Sequence, residues 1–176
     1  MTVLSREEWG SLSFLVADDT GVIRAMMEMM LLALGAGSVA MAADGQEAMD
    51  ELQRNPVDFV ISDLNMTPVS GLEFLRSLRS TDDLALARTP VVVISGYGEL
   101  EVKEQVLAAG GNAFMTKPVK PGGIETRIVE ILEAQGRAAP AIAVPSAKVA
   151  SATVASAKVL PVQIAASEAT LLAGRA

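Results

Sequence analysis

The chain contains no cysteine and no histidine. Without cysteine there can be no disulfide, no thiolate nucleophile and no cysteine-ligated zinc. Without histidine the chain cannot be a histidine phosphodonor, and most histidine-based metal sites and proton shuttles are excluded. Positive charge is also scarce. Fourteen Lys and Arg against 21 Asp and Glu leave a net charge of −7, which argues against direct DNA or general nucleic-acid binding, since that needs a basic face. A secretion leader is not visible: Met1 to Gly10 carries Arg6, Glu7 and Glu8 and no apolar core. The longest apolar stretch, Met29 to Ala43, is broken by Gly35, Gly37 and Ser38. It is too short to cross a bilayer and reads as a buried helix turning into a buried strand. The expectation is a cytoplasmic protein without membrane insertion.

What is present is a hydrophobic fraction of 51% in 176 residues, enough for one cored domain and an appendage. Four apolar runs each end in a polar residue suited to phosphate or metal chemistry. Ser13 to Ala17 runs into Asp18-Asp19, Val57 to Ser62 into Asp63, Val91 to Ile94 into Ser95, and Asn112 to Thr116 into Lys117-Pro118. If these are parallel strands, the polar ends meet at one sheet edge, where open α/β sheets bind their ligands.

Helix signals alternate with the strands. Thr20 is placed to cap a helix from Gly21 to about Leu34, which Gly35-Ala36-Gly37 stops. Val39 to Ala42 is a short strand, and Asp44 caps a helix from Gly45 to Arg54 that Asn55-Pro56 ends. A loop through Pro68 and Gly71 leads to a helix over Leu72 to Arg79, with Leu72, Leu75 and Leu78 inward. Glu99 to Ala109 is helical, and Pro121 suits the first turn of a last helix running to about Gln135. This is a (βα)₅ chain. Near-continuous apolar strands separated by helices imply a doubly wound parallel α/β sheet, with the flavodoxin-like strand order 2-1-3-4-5. The expected domain covers residues 11–136, after an extension at 1–10. Residues 137–176 carry a five-residue Ala/Ser/Val repeat and three prolines, and read as a disordered tail that folds, if at all, on a partner.

Asp63, closing the central strand, is placed as a nucleophile toward a phosphoryl donor. Its charge and those of Asp18 and Asp19 would repel the incoming group. A divalent cation that prefers oxygen ligands, such as Mg²⁺, resolves that repulsion. Lys117 would neutralise another phosphoryl oxygen, and Ser95 would donate a hydrogen bond. Tyr97 is bulky and placed to shield the phosphate from water.

These segments together resemble a response-regulator receiver domain of two-component signalling. The resemblance lies in Phe14 to Asp19, in Asp63-Leu64-Asn65-Met66 with Gly71 to Leu75, in Val93 to Gly96, and in Ala109 to Pro118. It implies that Asp63 is the phosphoacceptor. Asp19 is then a direct ligand of Mg²⁺ (or Mn²⁺), Asp18 acts largely through water, and the Asn65 carbonyl is a further ligand beside Asp63. Ser95 becomes the switch hydroxyl and Phe114 the switch aromatic. Lys117 binds phosphate, and the Lys117–Pro118 bond is cis. Asn65 and Tyr97 would tune dephosphorylation. The implied partners are a histidine kinase or histidine phosphotransfer protein and a downstream protein target, and the implied type is a stand-alone, chemotaxis-regulator-like receiver. It would be a phosphoacceptor with self-catalysed chemistry, not a dedicated enzyme.

Two positions depart from the common pattern. Thr67 follows Met66 where proline is usual, with Pro68 one later, and Phe114 replaces the frequent tyrosine. Among rival readings, Asp63 to Thr67 resembles the motif of haloacid-dehalogenase phosphatases, but Asn65 stands where that chemistry needs a second acid. A flavodoxin-like cofactor binder would need a Gly-rich phosphate loop after the first strand, which is missing. A non-phosphorylated interaction module would have no use for the intact set of Asp18, Asp19, Asp63, Ser95 and Lys117.

Overall fold

The computed structural model describes residues 4–96 and 100–136. Five parallel strands form one sheet: β1 (Ser13–Ala17), β2 (Ser38–Ala42), β3 (Phe59–Asp63), β4 (Val91–Ser95) and β5 (Ala113–Thr116), in the order β2-β1-β3-β4-β5. This is the strand order anticipated from the sequence. β3 and β4 are buried along their whole length because helices cover both faces.

On one face lie α1 (Arg6–Gly10), α2 (Gly21–Leu34) and α7 (Pro121–Ala134). They bury Trp9, Met27, Leu31, Ile124 and Ile128 against Phe14, Phe59 and Ile94. On the other lie α3 (Gly45–Arg54), α4 (Gly71–Arg79), α5 (Leu84–Ala87) and α6 (Leu100–Ala108), which bury Leu52, Phe74, Leu78, Leu86 and Val106 against Leu15, Val60 and Val93.

Local chemistry sets the helix ends. Asp44 accepts from the N–H groups of Gln46 and Glu47 at 2.7 and 3.0 Å, satisfying two free donors of α3. Ser70 and Glu73 form a reciprocal capping box on α4, and Ser5 and Glu8 do the same on α1. The hydrogen bonds from Ser70 hold the Glu73 carboxyl below the usual glutamate range. α2 ends at Gly35, whose φ of 109° lies in the left-handed region that favours glycine.

Several details differ from the sequence expectation. Thr20 occupies the N-cap of α2 but makes no side-chain capping bond; its hydroxyl turns to Asp19 instead. β3 starts at Phe59, not Val57, because Asp58 is used elsewhere. The Asp58 carboxylate accepts from the Ser13 N–H at 2.9 Å and the Ser13 hydroxyl at 2.7 Å, tying the starts of β1 and β3 together. On α4 Phe74 takes the inward place and Leu72 is only half-buried. The Met29 to Ala43 stretch is not uniformly buried: Met29, Leu32 and Met41 are exposed, since β2 is an edge strand and α2 is apolar on two sides.

The segment before Ser11, read as an extension, contains α1, and its Trp9 is 3% exposed. The indole stacks on Phe14 with ring centroids 6.1 Å apart, and Phe14 stacks on Phe59 at 5.7 Å. Trp9→Ala should therefore cost about 3–5 kcal/mol, the range for emptying a buried aromatic site. Urea unfolding followed by circular dichroism checks this; a loss below about 1 kcal/mol, the size of a surface change, would mean that α1 does not contribute to the core. The expected tail, residues 137–176, lies outside the described residues.

A carboxylate–lysine site at the carboxyl edge of the sheet

β1, β3 and β4 end side by side, and the register Ala17–Ser62 and Asp63–Ile94 brings their polar ends to one edge. β5 ends beside β4 with Ser95 opposite Thr116, so the next residue, Lys117, reaches back over the edge. Its N–H donates to the Ser95 carbonyl at 2.8 Å, fixing the start of the Lys117 side chain. The Lys117–Pro118 bond is cis, and so is Thr67–Pro68.

The Lys117 ammonium lies between two buried carboxylates. It is 2.5 Å from Asp63 Oδ1 and 2.9 Å from Asp18 Oδ2. Burial alone would pull the ammonium pKa down. The hydrogen bonds and charges of Asp63 and Asp18 outweigh it, and the pKa lies above the ordinary lysine value. Lys117 therefore stays charged throughout the neutral range. By linkage, its contribution to stability is fully present below the unfolded-state pKa and is lost as pH rises through the folded-state value.

The remaining lone pairs of these acids are also used. Asp18 Oδ1 accepts from the Thr20 N–H at 2.8 Å, and Asp63 Oδ2 accepts from the Asn65 N–H at 2.8 Å. Asp19 stands apart: it is exposed, and among the described residues its carboxylate accepts from the Thr20 hydroxyl at 3.3 Å. Ser95 is fully buried at the end of β4. Phe114 is half-buried on β5 beside Val93 and lines a separate cavity of about 490 Å³ with Lys103, Leu107 and Arg127. Asn65 is exposed in the loop after β3. Tyr97 lies outside the described residues.

The structure thus joins Asp18, Asp63 and Lys117 directly, sets Ser95 beside them in the sheet, and leaves Asp19 on the solvent side. Among the described residues no three acidic side chains converge closely enough to cage a metal alone. The donors are nevertheless all oxygen. A small hard cation that keeps several waters and takes one or two carboxylates fits this set; a cation demanding a full protein cage does not.

Two features escaped the sequence reading. Arg24, in the first turns of α2, donates through Nη1 to the Asp18 carbonyl at 2.6 Å and so anchors the acid-bearing loop. Nothing in the spacing marks it except its distance of six residues from Asp18. Met26, Met27 and Met30 line a cavity of about 430 Å³ that also contains Asp18, Asp63 and Lys117.

A doubly wound parallel sheet with the half-buried Lys117 ammonium held between the buried carboxylates of Asp18 and Asp63 puts the candidate site at the carboxyl edge, where open α/β sheets bind their ligands. Residues 14–129 match the family described as the response regulator receiver domain, and the chain belongs to that family. It is therefore a response-regulator domain of two-component signalling, a family of signalling proteins and not of dedicated enzymes. The family match leaves no place for the phosphatase or flavodoxin-like cofactor readings.

The chain is similar to a gliding motility regulatory protein of Myxococcus xanthus, 37% identical over 106 residues; these are 60% of this chain but only 13% of that protein. It is also similar to chemotaxis protein CheY-3 of Vibrio cholerae, 27% identical over 123 residues, covering 70% of this chain and 93% of that protein. The solved structure of chemotaxis response regulator CheY4 of Vibrio cholerae superposes with a TM-score of 0.63 at 30% identity, covering 69% of this chain and 98% of that one. Among the described residues no helix is long and apolar enough to cross a membrane.

Proposed function

We propose that the domain accepts a phosphoryl group on Asp63 from a histidine kinase or a histidine phosphotransfer protein and passes the signal on by protein–protein interaction. The observation that carries this reading is the Lys117 ammonium held 2.5 Å from Asp63 Oδ1 at the end of the central strand. In the transfer, an Asp63 oxygen attacks phosphorus, the P–N bond to the donor histidine breaks, and the electron pair leaves on the imidazole. The acyl phosphate on Asp63 is the product. Lys117, charged at neutral pH, meets the charge on a phosphoryl oxygen and keeps Asp18 in place on its other side. Arg24 holds the Asp18 backbone, and the Asn65 N–H orients Asp63 through Oδ2.

Mg²⁺ or Mn²⁺, held by Asp18, Asp19, Asp63 and the Asn65 carbonyl, would supply the positive charge that lets a phosphoryl group approach a carboxylate cluster. The exposed place of Asp19 supports this, since a ligand there remains open to a hydrated cation. Intact-mass measurement after incubation with acetyl phosphate tests the reading. Phosphate should be taken up with Mg²⁺ and not in excess EDTA; uptake that ignores EDTA would remove the metal from the proposal.

Phosphorylation would draw the Ser95 hydroxyl toward the phosphoryl group and let the Phe114 ring move into the space vacated. A ligand shifts such an equilibrium only by its differential affinity for the two states. Adding beryllofluoride should therefore change amide NMR shifts along α6 and β5. Changes confined to the loop after Asp63 would show that Ser95 and Phe114 do not relay the event. Tyr97, two residues beyond Ser95, would slow hydrolysis of the acyl phosphate, and residues 137–176 would serve partner binding or placement.

A further inference from the structure

We infer that Met26 is a reversible oxidation site through which peroxides act on the carboxylate–lysine site. The effect on phosphorylation rests on the reading of Asp63 as phosphoacceptor; the oxidation and its effect on Lys117 do not. The chain has no cysteine, so methionine supplies its only sulfur, and four of the nine methionines fall in Met26-Met27-Glu28-Met29-Met30. Their surroundings differ. Among the described residues three methionines are exposed, Met26 at 51%, Met29 at 63% and Met41 at 43%, whereas Met27 is 5% exposed in the core. At about 100° per residue, Ile23, Met26, Met27 and Met30 share one arc of α2, with Met26 at its solvent edge. These four side chains form one wall of the cavity of about 430 Å³ that holds Asp18, Asp63 and Lys117; Met29 and Met41 do not line it. Met26 is thus the one exposed methionine among the described residues that also lines the cavity of the site.

Oxidation of a thioether needs access and no catalytic neighbour. The sulfur attacks one oxygen of hydrogen peroxide and the O–O bond breaks. The hydrogen on the transferred oxygen passes to the departing hydroxide, which leaves as water. Sulfur is oxidised to the sulfoxide, the peroxide is reduced, and an apolar side chain becomes a polar one with an acceptor oxygen. Apart from Asp18, Asp63 and Lys117 the cavity is lined by apolar residues, and Lys117 is the only side chain lining it that carries a hydrogen-bond donor. Two of its three N–H groups are directed at Asp63 and Asp18. Its side chain is 32% exposed, so the third can turn to a new acceptor. The three rotatable bonds of Met26 let the sulfoxide swing into the cavity. There it competes for the ammonium that a phosphoryl oxygen on Asp63 would use. Diverting one such hydrogen bond corresponds to a rate loss of roughly two- to tenfold.

The test treats the full chain with hydrogen peroxide and maps oxygen uptake by peptide mass spectrometry. Met26 should be oxidised with Met29 and Met41, well ahead of buried Met27. On oxidation the Cε–H NMR signals of Lys117 should shift, and the rate of labelling by acetyl phosphate with Mg²⁺ should fall by the factor above. Methionine sulfoxide reductase should restore both. Each variant is compared with itself before oxidation. Met26→Leu, of similar volume but without sulfur, should lose both responses. Met29→Leu should keep them, since Met29 does not line the cavity. Met26 oxidised no faster than Met27, Lys117 signals that stay in place, or an equal response in Met26→Leu would each overturn the inference. A Lys117 shift with an unchanged labelling rate would overturn its coupling to phosphorylation. If the reduced native chain takes up no phosphate at all, the phosphoacceptor reading fails instead, and the Lys117 signals still decide the oxidation site.

Discussion

Asp63→Asn should take up no phosphate under conditions in which the native chain is phosphorylated. The substitution keeps the size and shape of the side chain and removes the one feature the chemistry requires, an anionic oxygen able to attack phosphorus. The site should otherwise survive. Lys117 keeps its 2.9 Å contact to Asp18, so its ammonium is not left without a counter-charge. The amide oxygen can still accept from the Asn65 N–H. Asp63 is 8% exposed, and an amide there carries no desolvation penalty of a charge. Unchanged circular dichroism with no mass gain would isolate chemistry from folding. Lys117→Ala makes the complementary case. It leaves Asp18 and Asp63 facing each other without their shared cation, so phosphoryl uptake should fall while the Asp63 nucleophile remains. Equal labelling of Asp63→Asn would move the phosphoacceptor to another side chain.

The sheet was legible because β1, β3 and β4 are buried on both faces and must be written as unbroken apolar runs. Right-handed crossovers left few possible orders, and the flavodoxin-like one expected among them is the order observed. The site was legible for a related reason: a parallel sheet sends every strand end to one edge, so polar residues closing separate runs must converge. The elements that stayed hidden were short and made by single contacts. α1 has five residues and α5 four, too few to show a helical period. Trp9 offered a large apolar side chain outside any strand, and only the tertiary stack on Phe14 gives it a place. Arg24 was unreadable for another reason: it acts on a backbone carbonyl, and carbonyls carry no sequence signature. α2 misled the reading because apolar residues all round a helix look like burial, although here one side faces solvent.

Gly71→Ala should be among the most damaging single-methyl additions in the domain, and for a reason centred on the site. Gly71 opens α4, and its N–H donates to the Leu64 carbonyl at 2.9 Å, closing the loop that follows β3. That closure presses the Gly71 α-carbon against the end of β3. A Cβ there would collide with the Asp63 carbonyl oxygen and lie 2.9 Å from the Ser62 hydroxyl oxygen and 3.0 Å from the Asp63 carbonyl carbon. The main obstacle is backbone, so no side-chain rotation relieves it. The Ser62 hydroxyl, which donates to the same Asp63 carbonyl at 2.9 Å, would be displaced as well. Overpacking of this kind costs about 1–3 kcal/mol and occasionally more. The strain falls on the residue that bears the proposed nucleophile, so the phosphorylation rate should drop together with the melting temperature. Gly122→Ala supplies the contrast. Gly122 lies in the first turn of α7, and a Cβ there meets nothing within 4 Å. Alanine should stabilise that helix by about 0.5–1 kcal/mol and leave phosphorylation unchanged. Opposite signs in the two melting curves, with rate loss only for Gly71→Ala, are the expected pattern. A Gly71→Ala variant that melts and labels like the native chain would show that the loop after Asp63 yields, and that the close approach of Gly71 does not fix the position of Asp63.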